Sequence, residues 1–172
     1  LVTYTQGNAG VLSTGTGNTA IGSSALDSIT SGALHNHAIG FNAGTAITDS
    51  DYNTLIGYDA GAAVTGQGNV AVGANTLKSQ STNASLNIAI GWKALEDNVG
   101  SSNNVAVGYT ALGNLTVGSN TEGDNVAIGS YSMSLSSNHN THNVAVGYTS
   151  GNYIGFASAS IGNVAVGSNA MY

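Results

Sequence analysis

A five-residue pattern, Asn-x-Ala-(Ile/Val)-Gly, recurs along almost the whole chain and constrains the fold more than any other feature. Successive copies begin 16 to 21 residues apart, a period too short for a helical pair and suited to one turn of a β-solenoid. The copies begin at Asn18, Asn36, Asn53, Asn69, Asn87, Asn104, Asn125, Asn143 and Asn163, with Leu55 replacing Ala in the third. Residues 1–172 are therefore predicted to form a single all-β repeat domain, a parallel β-roll or β-solenoid of about nine turns.

The composition favours a folded stack of strands. Apolar residues make up 41% of the chain and charged residues only 6%, whereas disorder needs low hydrophobicity and high charge. The absence of Pro fits strands in which each backbone N–H serves as a donor. The absence of Cys excludes disulfides and thiolate metal sites.

The charge excludes one class of partner. The net charge is −6, and only Lys78 and Lys93 are positive, so little is available to neutralise phosphates and no nucleic-acid partner is expected. No apolar run approaches the length of a membrane span, so direct membrane insertion by this segment is not expected. The sequence stops at Tyr172, just after a repeat, which suggests a segment of a longer fibre.

The repeat predicts a strand with two different faces. Side chains alternate along a strand, so x and Ile/Val share one face while Asn, Ala and Gly share the other. A roll with two short strands per turn covers only one of these faces, and we expect other copies of the chain to cover the second, most simply in a homotrimer. The small face is seen in three copies, at Asn69, Ala71, Gly73, Asn104, Ala106, Gly108, Asn143, Ala145 and Gly147.

Two further expectations concern the Asn positions and the loops. Equivalent Asn side chains should stack into a hydrogen-bonded ladder, and the Gly should occupy a corner with positive φ or close backbone approach. The variation in repeat length falls between the end of one repeat and the next Asn. The longest such loops, 113–124 and 151–162, are natural places for recognition.

The repeats resemble the head domains of trimeric autotransporter adhesins of the YadA type, whose repeat reads Asn-Ser-Val-Ala-Ile-Gly. The matching segments here are 103–108, 124–129 and 142–147. The resemblance implies a left-handed parallel β-roll, trimerised along its length, in an extracellular fibre on a bacterial surface. Such a fibre binds a host surface receptor, a matrix protein or a glycan. Similar repeats occur in phage tail fibres, so a virion fibre that binds a host receptor is the alternative.

Two sets of side chains are candidate sites. His35 and His37 have the spacing that places two imidazoles on one strand face, and three chains would offer six nitrogens to a metal; a structural pair is the simpler reading. The residue after each repeat Gly forms an aromatic series in which Phe41 should lie over Tyr58 and Trp92 over Tyr109. This series is either packing or a receptor ledge, and its members are Phe41, Tyr58, Trp92, Tyr109 and Tyr148.

No enzymatic activity and no cofactor are predicted. The acidic pair Asp49 and Asp51 has no second acidic cluster in register with it, so a solvated loop is the simpler reading. A left-handed β-helix acyltransferase needs an aliphatic residue every six positions, but Val72 is followed at that spacing by Lys78. An ice-binding solenoid needs a regular Thr array, and Thr14, Thr16 and Thr19 do not recur in register.

Overall fold

The computed structural model describes residues 16–80, 83–115, 123–135, 141–152 and 161–171, which form an all-β solenoid with one parallel sheet. Each strand pairs with the next in chain order. The solenoid has about seven turns, fewer than the nine predicted. The strands are β1 (Thr19–Ile21), β2 (His37–Ile39), β3 (Thr54–Ile56), β4 (Val70–Val72), β5 (Ile88–Ile90), β6 (Val105–Val107), β7 (Val126–Ile128), β8 (Val144–Val146) and β9 (Val164–Val166).

The strands have the two faces that the repeat predicts. In β2 to β9 the middle residue is buried and the flanking residues are half-buried or exposed. The small Ala side chains therefore line the interior of the roll, while x and Ile/Val point outward. Strand registers match equivalent residues throughout, for example Ala71 with Ala89 and Ala89 with Ala106.

The predicted Asn ladder joins the nine Asn residues that immediately precede the strands. In each step the backbone N–H and the side-chain amide of one Asn both donate to the side-chain oxygen of the preceding Asn. Between Asn104 and Asn87 these distances are both 3.0 Å, and between Asn125 and Asn104 they are 3.1 and 3.0 Å. Because the Asn side chains from Asn36 to Asn143 are buried, each unmade bond would leave an unsatisfied polar group.

The repeat Gly occupies the corner at which each strand ends, as predicted. At Gly91 φ is 119°, and a Cβ would lie 2.6 Å from the carbonyl oxygen of Gly108 on the next strand. Any side chain at this corner would collide with the backbone of the following turn, so the stacking of turns requires Gly here.

The second strand predicted in each turn is not formed among the described residues. After the corner the chain makes turns, and the residue four positions after the Gly has positive φ, such as 47° at Leu77 and 50° at Leu95. A strand cannot continue through this conformation. The backbone still bonds between turns, since Leu77 N–H donates to Ala94 O and Leu95 N–H to Ala111 O.

The Leu side chains at this turn position point inward and complete the core with the strand Ala residues. Three turns carry Gly there, at Gly44, Gly61 and Gly151. The strand between the first two carries Leu55 in place of Ala. A Cβ on Gly44 would lie 2.8 Å from Leu55 Cδ1, and one on Gly61 would lie 2.7 Å from Leu55 Cδ2. Leu55 therefore fills the space that the two missing side chains leave.

Candidate functional site

Aromatic side chains form columns on the surface, directly after the corner Gly. The Phe41 and Tyr58 rings stack with centroids 5.3 Å apart, and the Trp92 and Tyr109 rings stack at 4.9 Å. Backbone bonds hold the register, since the N–H of Thr110 donates to Trp92 O on the preceding turn. Both predicted stacks are confirmed, and their side chains are 41 to 54% exposed.

Tyr131 joins the second column, which the sequence did not predict. It lies two residues after its corner Gly rather than one, yet its ring meets Tyr109 edge-on at 5.0 Å and Tyr148 at 6.4 Å. A hydrogen bond with Tyr109 raises the pKa of Tyr131 above its usual value. The repeat does not predict this contact, because Ser130, and not Tyr131, occupies the position directly after the corner Gly.

Four positions of the series carry no ring, namely Ser23, Ala74, Ser130 and Ser168, and Ala74 is the one that separates the two stacks. Ala74 lies between Tyr58 and Trp92, one turn from each. Phe41 covers one face of Tyr58, and Tyr109 covers one face of Trp92. The Lys93 ammonium lies over the Trp92 ring as well, 4.7 Å from its centroid.

Both cationic side chains of the 172-residue chain lie on the three turns that carry Tyr58, Ala74 and Trp92. The Lys93 ammonium lies 3.1 Å from a Glu96 carboxylate oxygen. The Lys78 ammonium lies 3.1 Å from Asp59. That hydrogen bond raises the pKa of Lys78 against the opposing effect of burial, so both lysines are held in ion pairs.

The turn that carries Ala74 also holds an unsatisfied polar atom. The side-chain oxygen of Asn75 is buried and has no hydrogen-bond partner among the described residues. Buried polar atoms usually have a partner in the protein or in bound solvent or ligand. The turns around Ala74 therefore contain an unsatisfied acceptor as well as both lysines.

The outward side chains of the nine strands form a mainly apolar surface, which we call the outer sheet face; its polar members are Thr19, His37 and Thr54. The strands contain no Asp, Glu, Lys or Arg, and from β4 onward both outward columns are entirely Val or Ile. The exposed members are Ile21, Ile39, Ile56, Ile88, Ile90, Ile128, Val164 and Val166. Contiguous apolar surface of this kind marks an interaction site in a soluble protein.

The two candidate metal ligands lie in different local structures. His37 begins β2, but His35 lies two residues earlier with φ at 57°, and its ring stacks on Tyr52 at 5.5 Å. Strand alternation therefore does not extend to His35, which was the basis for placing both rings on one face. In the part of the chain that the structure describes, no three His, Cys, Asp or Glu side chains come together to hold a metal.

The acidic loop at Asp49 and Asp51 borders an open polar depression of about 330 Å³. Asp51 accepts a hydrogen bond of 2.7 Å from the Leu34 N–H, and Asp49 accepts one of 3.1 Å from the Thr48 hydroxyl. Asp51 thus supports the neighbouring turn. The depression also involves Ser50, Thr65, Gly66, Gln67, Asn83 and Ser85, which present no acid and base pair at a catalytic separation.

The loops predicted as recognition sites fall largely outside the described residues, since 116–122 and 153–160 are not among them. No helix in the described ranges is long and apolar enough to cross a membrane. No family model, curated protein or solved structure matches the chain. The aromatic columns and the outer sheet face are the surface features that bear on function.

Proposed function

We propose that this chain is a segment of an extracellular homotrimeric fibre, which provides length and stiffness and attaches to a host surface receptor, a matrix protein or a glycan. The role is structural and adhesive, without catalysis or a cofactor. The observation that carries the proposal is the outer sheet face, an apolar surface that follows the long direction of a solenoid. The likeness of the repeat to adhesin heads supports a left-handed roll on a bacterial surface, with a virion tail fibre as the alternative.

Further copies of the chain are the best occupants of the outer sheet face. The chain's net charge of −6 would repel an identical copy at most surfaces, but no strand carries a charged residue. Charges depleted from an apolar interface core are typical of stable homo-oligomers. Because outward Val or Ile recurs at both positions of every strand from β4 onward, copies related by an axis along the solenoid would bring equivalent residues together at successive turns.

The oligomeric state tests this proposal. We expect the wild-type chain to sediment at three times its monomer mass at micromolar concentration. Replacing outward Ile90 and Val107 by Lys should yield monomer with an unchanged far-ultraviolet circular dichroism spectrum, because charge is then buried only in the assembly. The matched control places the same two charges at Ser31 and Thr65, which are exposed outside the strands, and should remain trimeric.

A stable, folded wild-type monomer would contradict the proposal, and a dimer would contradict the threefold arrangement. If both Lys pairs dissociated the assembly equally, the outer sheet face would not be the interface. The two variants carry the same added charge, so a general electrostatic effect would appear in both.

A further inference from the structure

We propose that Trp92, Tyr109 and Tyr131 form a redox path, which passes a one-electron oxidation of Trp92 to Tyr109 and holds the resulting tyrosyl radical beside Tyr131. The oxidant is a small radical in the surrounding solution, of the class of the azide or carbonate radical. This activity goes beyond the adhesive role proposed above and does not depend on it, because the three rings follow successive strands, β5, β6 and β7, of one chain.

The rings are in direct contact along the whole path. The Trp92 and Tyr109 rings stack with centroids 4.9 Å apart and an interplanar angle of 20°, and Tyr109 meets Tyr131 at 5.0 Å. Both distances are those of packed aromatic pairs, so an electron needs no carrier between the rings. Backbone hydrogen bonds fix the positions, since Thr110 N–H donates to Trp92 O and Tyr131 N–H donates to Tyr109 O.

Solvent reaches every ring of the path. Trp92 is 41% exposed, so a small oxidant can touch its edge, and Tyr109 and Tyr131 are 42% and 37% exposed. Exposure of Tyr109 matters because a phenol must lose its proton when it is oxidised at neutral pH, and water can take that proton. Trp92 is the only Trp in the chain, so the path has a single indole at which to start.

The charge beside Trp92 favours transfer away from the indole. The Lys93 ammonium lies over the Trp92 ring, 4.7 Å from its centroid, and a Glu96 carboxylate 3.1 Å away holds the ammonium there. An ammonium is attracted to the negative face of a neutral ring, but it opposes the positive charge that oxidation places on the indole. The oxidised indole therefore releases its N–H proton. The indolyl radical that remains is a stronger oxidant than a tyrosyl radical at neutral pH, so transfer to Tyr109 is favourable.

The two steps balance in electrons and protons. The solution radical takes one electron from Trp92 and becomes its anion, and the indole nitrogen releases one proton to water. Tyr109 then gives one electron to the indolyl radical and its phenol proton to water, while the indole nitrogen takes a proton back from water. Trp92 is restored, and the products are the Tyr109 phenoxyl radical, the reduced anion and one proton.

Tyr131 supplies a hydrogen bond to the oxygen on which the radical rests. The Tyr131 phenol donates to Tyr109, and the pKa of Tyr131 is raised because its protonated form holds that bond. A phenoxyl radical keeps partial negative charge on its oxygen, so a donor at that atom stabilises it. Tyr131 therefore acts on the lifetime of the radical and not on its formation at Trp92.

Pulse radiolysis tests the path, because the azide radical oxidises Trp in preference to Tyr at neutral pH and the two amino-acid radicals absorb at different wavelengths. In the wild type, indolyl absorption should convert into tyrosyl absorption with a first-order rate constant that is independent of protein concentration. Tyr109→Phe keeps the ring and removes the oxidisable phenol, so this conversion should be lost. The matched control, Tyr58→Phe, removes a phenol two turns from Trp92 on the other side and should leave the rate constant unchanged.

High-field electron paramagnetic resonance of freeze-quenched samples tests the role of Tyr131, because the g values of a tyrosyl radical report a hydrogen bond to its oxygen. The wild type should give one hydrogen-bonded value, whereas Tyr131→Phe should give a broad distribution, since only water remains as a donor. Conversion at the wild-type rate in Tyr109→Phe would overturn the path, as would a rate constant that rises with protein concentration. Identical spectra for the wild type and Tyr131→Phe would overturn the role of Tyr131.

Discussion

Asn104 shows how one residue type is used once per turn for several bonds. Its side-chain amide donates to the oxygens of Asn87, Ser101 and Ser102, and its own oxygen accepts two bonds from Asn125. Its three ladder contacts, one to Asn87 and two from Asn125, depend on the side chain being both donor and acceptor. Only an amide meets that requirement in this position, since a carboxylate lacks the donor.

Replacing Asn104 by Asp is therefore expected to reduce the free energy of unfolding by about 3–5 kcal/mol, because a buried charge then faces the oxygen of Asn87 without a hydrogen. Chemical denaturation at fixed protein concentration would measure the loss. The control is Asn103→Asp, a neighbouring exposed residue with φ at 60°, where Asp is well tolerated and the change should stay within about 0.5 kcal/mol. Equal losses in the two variants would contradict the ladder's role.

The sequence predicted those side chains whose position the repeat alone determines. The Asn ladder and the two aromatic stacks follow from register, because equivalent residues of a solenoid must lie over one another. The ion pairs around Ala74 could not be predicted in this way. They join different repeat positions, such as Lys78 with Asp59, and they depend on side-chain conformation.

At the scale of one turn, the core around β3 conserves volume rather than residue type. Gly replaces Leu at positions 44 and 61, and Leu55 replaces Ala between them, with methyl groups in the vacated space. The prediction of two strands per turn failed for a related reason. The inward Leu positions have positive φ, which is uncommon for Leu. The sequence does not reveal this conformation, and an apolar residue at such a position therefore predicts a strand.

We predict that Leu55→Ala and Gly61→Leu compensate for each other. Leu55→Ala alone should cost about 2–5 kcal/mol by leaving a cavity. Gly61→Leu alone should cost about 1–3 kcal/mol by overpacking against Leu55. Together they restore the arrangement found in other turns, where Leu77 adopts the same positive φ. The double variant should therefore be more stable than either single one in denaturation experiments. Additive losses would show that the two positions do not share this space.

At the scale of the whole molecule, the repeat separates surfaces with different chemistry. The outer sheet face is free of charged residues along all nine strands, whereas both lysines lie on the turns around Ala74. Each turn contacts mainly its neighbours in a solenoid, so such surfaces can change along its length without altering the fold. This explains how one repeated strand can support an apolar face while the residue after the corner Gly varies between aromatic and small from turn to turn.

The charge distribution predicts that the proposed homotrimer does not bind polyanions. Each chain carries −6, so three chains carry 3 × (−6) = −18, and the two lysines are each paired with a carboxylate. Heparin should therefore be repelled at low salt, where screening is weakest. The protein should pass through a heparin column unretained at low ionic strength and behave identically when salt is raised. Retention that disappears with salt would show that Lys78 and Lys93 act as a cationic patch.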